Sequence, residues 1–178
     1  MQYITEKLDA GEIILSKEIK ILDTDNGETL LEKLTELGIK EITGLLERFE
    51  HKKFDSTPQD HSIATHCKKI LPEDRLIDFR NETIDIFNKV RAFYPYHITY
   101  CQFRNKRLNI CEAGLWNGKI HDLKGSGTLY LVDKKTLVVE CGDGGLLELI
   151  TVQPENKNKM KISEFINGYR PISGETLN

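Results

Sequence analysis

The sequence predicts an α/β segment followed by a small OB-like β-barrel, that is, a barrel of the oligonucleotide-binding type, with a helix at its C-terminal end. Apolar residues recur at helical spacing through much of the first half of the chain. After Pro95 the pattern changes to short apolar and β-branched stretches separated by turn residues. Five such stretches with a closing helix are typical of a small open barrel or a similar sandwich.

Four elements are predicted before Pro95. An apolar and β-branched stretch predicts a strand, and leucines at helical spacing predict two consecutive helices separated at Gly38. Asp25 followed three residues later by Glu28 resembles a capping box, which marks the start of the first of these helices. The elements are a strand over residues 12–21 and helices over residues 25–37, 39–49 and 82–91.

The strands predicted after Pro95 are separated by short turns rich in Asn, Asp, Lys and Gly, the residues that tight turns favour. Asp143 lies between glycines in one of these turns, and turn geometry is sufficient to explain it. The strands are residues 98–103, 107–113, 128–132, 136–140 and 146–152, and the closing helix is residues 162–168.

The composition is that of an ordinary globular protein, with 39% hydrophobic and 30% charged residues. Apolar runs reach only about five residues, whereas a membrane helix needs about twenty. The first residues lack the basic and apolar regions of a secretory signal, so we expect a cytoplasmic protein with no membrane partner. The four cysteines are widely spaced, and His61, His66 and Cys67 lack a second ligand pair, so no metal site is predicted.

Charge is distributed unevenly along the chain. Residues 1–83 contain 12 Lys/Arg and 18 Asp/Glu, whereas residues 84–178 contain 13 and 10. A basic half beside an acidic half favours a nucleic-acid or anionic-ligand surface on the second half. The excess of positive charge is small, and an ordinary solvated surface explains it as well.

One carboxylate near the start of the chain is the strongest candidate for catalytic chemistry. Asp9 lies in a Gly-containing turn directly before an apolar stretch, a place where a catalytic acid or base is often held. Almost nothing precedes it, so we expect the strands and loops that supply its partners to lie upstream of Met1.

Short motifs occur in order along nearly the whole chain. They are Leu8-Asp9-Ala10-Gly11-Glu12-Ile13-Ile14, Gln59, Lys69-Ile70, Glu73-Asp74, Ile77-Asp78-Phe79, Arg91-Ala92-Phe93-Tyr94-Pro95, Cys141-Gly142-Asp143-Gly144, Leu147, Gln153-Pro154-Glu155, Lys159-Met160 and Phe165-Ile166-Asn167-Gly168. In this order and spacing the chain resembles the methionyl-tRNA formyltransferase family.

The resemblance implies transfer of a formyl group from 10-formyltetrahydrofolate to the amine of methionyl initiator tRNA. The family's Rossmann-like catalytic domain uses an Asn, a His and an Asp, and Asp9 matches that Asp. The Asn-x-His segment and the folate loop have no counterpart here. We therefore expect the chain alone to be inactive. The missing N-terminal catalytic half, with most of the folate site, would lie in the same or another chain, and the complete protein would be a monomer without a metal.

The resemblance also divides the chain into three parts. Residues 1–50 correspond to the end of the catalytic domain, residues 51–83 to a connector and residues 84–178 to the C-terminal OB-like domain. In the family this barrel contacts tRNA, mainly through phosphates, although solvated turns would look the same. The candidate tRNA-binding residues are Arg104, Lys106, Arg107, Lys157, Lys159 and Lys161.

Two other functions remain open. A sugar-nucleotide N-formyltransferase would share the folate-dependent core and a similar C-terminal module, and would need no extended basic surface. A non-catalytic nucleic-acid-binding module would rely on the barrel alone, which predicts that residues 84–178 fold and bind RNA without the first half.

Overall fold

The computed structural model describes residues 1–50 and 55–178 of the chain. The first four residues of the predicted connector, 51–54, lie outside the described residues. The chain forms two compact units. The N-terminal unit comprises Met1–Asp25 and Thr29–Lys69, and the C-terminal unit comprises Asn26–Glu28 and Ile70–Asn178. Among the described residues, no helix combines the length and the apolar character that crossing a membrane requires.

The first helix, α1 (Gly27–Glu50), is a single helix of 24 residues, so the predicted break at Gly38 is wrong. Glycine within a helix costs only about 1 kcal/mol relative to alanine. The apolar residues on both sides of Gly38 keep one helical phase, and the helix therefore continues through it. Its start also differs from the prediction, because Asn26 Oδ1 accepts the backbone N–H of Glu28 while the buried Asp25 carboxylate accepts the N–H of Leu22.

The strand predicted over residues 12–21 is absent, and this prediction is also wrong. Ile13 forms isolated bridges with Gln2 and Thr57, and the amides of Ile14 and Leu15 donate to the Met1 carbonyl. A strand extends only as far as a partner backbone pairs with it, since every amide of a ladder needs an acceptor. Among the described residues, the partners available to this segment pair with it only around Ile13.

The N-terminal unit also contains a short 3-10 helix (His61–Ile63), and the C-terminal unit contains the other α-helices and the strands. The five predicted strands each overlap an observed strand, and a short sixth strand was not predicted. The elements are α2 (Thr83–Phe93), β1 (Thr99–Phe103), β2 (Lys106–Trp116), β3 (Leu129–Leu131), β4 (Leu137–Glu140), β5 (Leu146–Pro154), β6 (Met160–Lys161) and α3 (Ile162–Tyr169).

The strands form one antiparallel sheet in the order β1-β2-β5-β4-β3, with β6 paired to β5. The ladder is open, because β1 and β3 do not pair with each other. The end of the chain instead bonds to both edges. Asn178 exchanges backbone hydrogen bonds with Gln102 of β1, and the Leu129 amide of β3 donates to the Glu175 carbonyl at 2.8 Å.

One hydrophobic core fills the space between the sheet, α2 and α3. Phe165 of α3 is fully buried, and its ring meets Phe103 of β1 edge to face with centroids 5.4 Å apart. Burial of such large side chains is the main favourable contribution to folding. The core also contains Ile77, Phe79, Ile86, Val90, Cys101, Leu108, Ile110, Leu129, Leu137, Val139, Leu147, Leu149 and Val152.

The turn between β4 and β5 holds the start of α2. Asp143 Oδ1 accepts hydrogen bonds from the Thr83 hydroxyl at 2.7 Å and from the Thr83 amide at 3.2 Å. A side chain on Gly142 would lie 1.8 Å from the Arg80 carbonyl oxygen, so the two backbones touch there. Positive φ occurs at Gly144 in this turn. Asp143 Oδ1 also accepts the Gly145 amide at 3.1 Å, so turn geometry explains Asp143 as well as Gly144. The same carboxylate in addition caps the start of α2, 60 residues away in sequence.

We predict that Asp143→Ala lowers the free energy of unfolding by about 1 kcal/mol near neutral pH, the usual value of a helix cap. The Thr83 hydroxyl lowers the pKa of the Asp143 carboxyl in the folded protein. Its charged form therefore contributes above the unfolded pKa of about 4, and that contribution is lost as the pH falls through the lower folded value. Urea unfolding of both proteins between pH 3 and 7 should show the difference shrinking in acid.

Thr83→Val and the double variant complete a thermodynamic cycle. The double variant should lose less stability than the sum of the two single losses, because both remove the same hydrogen bond. Additive losses would contradict the pairing.

Candidate functional site

Asp9 lies on an exposed turn of the N-terminal unit. Its backbone is left-handed, with φ at 52°, a conformation that Asp tolerates better than most residues. Gln2 Nε2 donates to its carboxylate at 3.3 Å. Among the described residues this is the single hydrogen bond to the Asp9 carboxylate, so no His, Asn or Lys of this part of the chain is paired with it.

Gln59 fixes the backbone of the Asp9 turn. Its side-chain amide nitrogen donates to the carbonyl of Asp9 at 3.0 Å and to the carbonyl of Gly11 at 2.6 Å. These contacts span 50 and 48 residues of sequence. Gln59 is one of the residues on which the family resemblance depends, and no role was predicted for it. In the structure its side chain supports the Asp9 turn.

Gly11 allows the turn to approach the N-terminal segment. A side chain at this position would lie 1.8 Å from the carbonyl oxygen of Tyr3, and the Tyr3 amide donates to the Glu12 carbonyl at 3.0 Å. Gly11 is accordingly buried while Asp9 is exposed. The backbone of this turn is therefore fixed by contacts on both sides, and the Asp9 carboxylate is exposed on it. A carboxylate alone can orient a partner or accept a proton.

Four of the six predicted basic residues line one cleft in the C-terminal unit, which we name the β1–β2 cleft. Its volume is about 310 Å³. Its walls come from the turn between β1 and β2, the turn after β5, and α3. The lining residues are Phe103, Arg104, Lys106, Arg107, Leu108, Pro154, Glu155, Lys157, Phe165 and Tyr169.

Arg104 of this cleft is occupied by the protein itself. Its guanidinium forms a two-pronged ion pair with Glu175 at 2.7 and 2.9 Å and donates to the carbonyls of Tyr169 and Arg170. The pair raises the pKa of Arg104 and lowers that of Glu175. Arg104 therefore fastens the C-terminal residues to the β1–β2 turn.

The other cations of the cleft are less engaged. The Arg107 guanidinium lies 4.0 Å from the centre of the Tyr100 ring, and its Nε donates to Asn109. Lys106 and Lys157 are exposed and form no ion pair among the described residues. Among the cations of the cleft, the ammonium groups of Lys106 and Lys157 are therefore the most accessible to an anion.

Lys159 and Lys161 do not line the cleft. The Lys159 ammonium lies 4.8 Å from the centre of the Tyr94 ring. Lys161 precedes α3, and its backbone amide donates to Glu164 at 2.9 Å. The six predicted residues therefore form one cleft group of four and two separate positions.

The cysteines and histidines do not form a second site in the described part of the chain. Cys101, Cys111 and Cys141 are buried, and burial raises the pKa of Cys141 to about 11, which disfavours a reactive thiolate. No group of three potential metal ligands occurs among the described residues.

The C-terminal domain of the formyl transferase family matches residues 69–170, more than half of the chain. The chain belongs to the formyl transferase family. This confirms the resemblance that the order of the sequence motifs indicated.

Curated relatives extend the similarity over nearly the whole chain. The methionyl-tRNA formyltransferase of Leptospira interrogans is 44% identical over 177 residues, which cover 99% of this chain and 56% of the relative. The methionyl-tRNA formyltransferase of Carboxydothermus hydrogenoformans is 32% identical, with the same coverage of 99% and 56%. The chain thus spans about half the length of the curated relatives it matches.

Two solved structures share the fold of this chain. HypX from Aquifex aeolicus in complex with tetrahydrofolic acid has a TM-score of 0.67 at 19% identity, covering 98% of this chain and 30% of HypX. An N-formyltransferase from Helicobacter canadensis, solved with folinic acid and dTDP-3-aminofucose, has a TM-score of 0.65 at 17% identity, covering 86% of this chain and 54% of that protein. At these identities the likeness shows the fold.

We predict that Gly11→Ala disrupts the Asp9 turn, because the added methyl group would collide with the Tyr3 backbone. Hydrogen exchange should speed up at the Tyr3 and Ile13 amides and stay unchanged in the strands of the C-terminal unit.

Gly44→Ala is the matched control, since Gly44 lies in α1 with open space around it. This substitution should stabilise α1 by up to about 1 kcal/mol. Unchanged exchange at Tyr3 in Gly11→Ala would contradict the proposed close approach.

Proposed function

We propose that this chain is the C-terminal portion of a methionyl-tRNA formyltransferase, which transfers the formyl group of 10-formyltetrahydrofolate to methionyl initiator tRNA in the cytoplasm during translation initiation. The observation that carries the proposal is 44% identity to such an enzyme over 99% of this chain. In this proposal residues 1–50 complete the catalytic domain, residues 51–83 connect it to the C-terminal domain, and residues 84–178 form that domain as an OB-like barrel. Bonding of the chain end to both sheet edges supports closure of that barrel.

The proposed reaction gives Asp9 a limited part. The methionyl amine must lose its ammonium proton before its lone pair attacks the formyl carbon. A tetrahedral oxyanion then forms, and the attacking nitrogen gives up a second proton. The oxyanion collapses to the new amide carbonyl, and the bond to the folate nitrogen breaks as that nitrogen takes up a proton. A carboxylate beside the reacting groups can orient a histidine or water that moves these protons. In the described part of the chain the Asp9 carboxylate has Gln2 alone as hydrogen-bond partner, so in this proposal the other catalytic groups come from the N-terminal half.

An exposed apolar face of α1 supports the proposal that a catalytic half outside this chain packs against it. Leu31, Ile39, Ile42 and Leu46 are 52%, 64%, 47% and 58% exposed and share one side of the helix. The neighbouring side of α1 is less exposed and, with Met1 and Leu15, lines a small cavity within the N-terminal unit. Contiguous exposed apolar side chains mark an interaction surface. We propose that the N-terminal half present in the longer relatives covers this face.

We predict that the purified chain alone does not formylate methionyl-tRNA. The separately produced N-terminal portion of the Leptospira relative should bind the chain when added. The mixture should give detectable formyl-methionyl-tRNA, measured on acid gels.

Ile42→Asp should weaken binding of that portion at least tenfold in calorimetry, because it places a charge in the apolar contact. Lys40→Ala, on the opposite side of α1, is the control and should leave binding unchanged. Formylation by the chain alone would refute the requirement for a second half.

The exposed cations support tRNA as the acceptor. Lys106 and Lys157 are available to phosphates, whereas Arg104 is held by Glu175. Each lysine that contacts a phosphate releases about one counterion, so it adds about one unit to the slope of log affinity against log salt.

Lys106→Ala and Lys157→Ala should each weaken initiator tRNA binding and reduce the salt slope by about 1. Arg104→Ala should instead lower the midpoint of thermal unfolding, because it breaks the contact with the C-terminal residues. Filter binding at several salt concentrations measures the slopes. Lys134→Ala, on the turn between β3 and β4, is the control. Unchanged slopes in both lysine variants would remove the cleft from the tRNA interface.

A further inference from the structure

We propose that the β1–β2 cleft binds a nucleoside 5′-phosphate unit, with its base on the apolar floor of the cleft and its phosphate between Lys106 and Lys157. The inference deepens the proposed function, on which it rests in part. It names the chemical unit that the basic surface recognises, whereas contacts to phosphates alone would need no cleft.

The accessible aromatic surface at the floor of the cleft comes from Tyr169 of α3, which is half-buried. Phe103, Leu108 and Phe165 line the same cleft but are buried members of the core, so they support the floor and expose little surface to a ligand. The rings of Phe165 and Tyr169 stack with centroids 4.7 Å apart and an interplanar angle of 16°. Flat aromatic surface beside positive charge is the combination that holds unpaired bases in single-strand binding proteins.

The rim of the cleft is held in place by the backbone. Arg104 and Asn105 both have positive φ, at 51° and 61°, which defines a tight turn between β1 and β2. The Glu155 amide donates to the Arg107 carbonyl at 3.0 Å, and Gln153 Nε2 donates to the Lys157 carbonyl at 2.9 Å. These bonds tie the two turns together and fix the Lys157 turn, so little ordering is left for ligand binding to impose.

The charge of the cleft favours a phosphate. Arg104 is neutralised by Glu175, and the remaining charged groups are Lys106, Arg107, Lys157 and the carboxylate of Glu155. Three cations against one carboxylate leave a net positive site. Glu155 opposes an anion, and it thereby provides a way to strengthen binding by a neutral substitution.

The size of the cleft distinguishes a single nucleotide from a duplex. A volume of about 310 Å³ is at the lower end of ligand pockets, which start at about 300 Å³. A duplex could place phosphates on the rim, but its stacked bases could not reach the floor. Loops between the first two strands of OB-like folds are a frequent place for oligonucleotide binding, and the β1–β2 turn lines this cleft.

The first experiment separates base recognition from simple phosphate binding. The full chain is titrated with AMP, CMP, ribose 5-phosphate and inorganic phosphate, and binding is followed by NMR shifts of the lining residues. We expect saturable binding of AMP and CMP that is at least about tenfold tighter than that of ribose 5-phosphate, since base stacking on an aromatic ring has about this effect. Equal affinity for all four anions would overturn the proposal.

Variants assign the parts of the site. Lys106→Ala and Lys157→Ala should weaken AMP binding several-fold, and Glu155→Gln should strengthen it, because the opposing charge is removed. Tyr169→Leu should weaken AMP binding and leave ribose 5-phosphate binding unchanged. Glu155→Gln removes no core contact, so it tests the site even if Tyr169→Leu fails to fold. Lys134→Ala is the control. Weaker AMP binding by Glu155→Gln would refute the assignment.

A nucleoside phosphate could belong to RNA or to a free nucleotide such as the carrier of an activated sugar. A short single-stranded RNA and dTDP are therefore compared as competitors of AMP, and initiator tRNA binding is measured on the same variants. RNA competition with loss of tRNA affinity in Lys106→Ala supports RNA as the source. Competition by dTDP with unchanged tRNA affinity supports the free nucleotide. AMP binding without any tRNA binding by the wild-type chain would refute the tRNA function and leave the cleft assignment intact.

Discussion

The C-terminal unit depends on the hydrogen bonds that the last four residues make to both edges of its sheet. An unpaired edge strand leaves a row of exposed amides and carbonyls that invites association with other chains. Here Asn178 pairs with Gln102 of β1, Glu175 accepts from Leu129 of β3, and Leu177 donates to Gly127. The Arg104–Glu175 ion pair joins the same chain end to the turn that lines the β1–β2 cleft. The pairing of the sheet edges and the geometry of the cleft therefore share one set of contacts.

Several residues that stand out as motifs serve contact between distant backbones. Gly11 and Gly142 each lie where a side chain would overlap a carbonyl oxygen, of Tyr3 and of Arg80 respectively. Gln59 and Asp143 supply the hydrogen bonds that hold those two approaches. Gln59 and Asp143 are residue types that would attract attention as candidates for chemistry, yet their side chains make structural hydrogen bonds.

The parts of the fold that were predictable from sequence are those set by local signals. Turn residues separate the strands after Pro95, and each predicted strand overlaps an observed one, because a hairpin needs only its own turn and its neighbour. The strand over residues 12–21 was wrong because its partners lie in Met1, Gln2 and Thr57 and are too few to continue the ladder. The break at Gly38 was wrong because the cost of one glycine is smaller than the gain from a continuous apolar face.

The candidate site shows the same limit at the level of single side chains. Arg104 and Lys106 occupy one turn and look equivalent in sequence, yet Glu175, 71 residues from Arg104, accepts two hydrogen bonds from its guanidinium. A planar guanidinium fits a carboxylate with two parallel bonds, which a lysine ammonium cannot reproduce. Lys106 has no such partner among the described residues, and its side chain is exposed. The type of cation at each position, together with one distant carboxylate, therefore divides a single basic turn into a structural anchor and an exposed lysine, for which we propose the binding role.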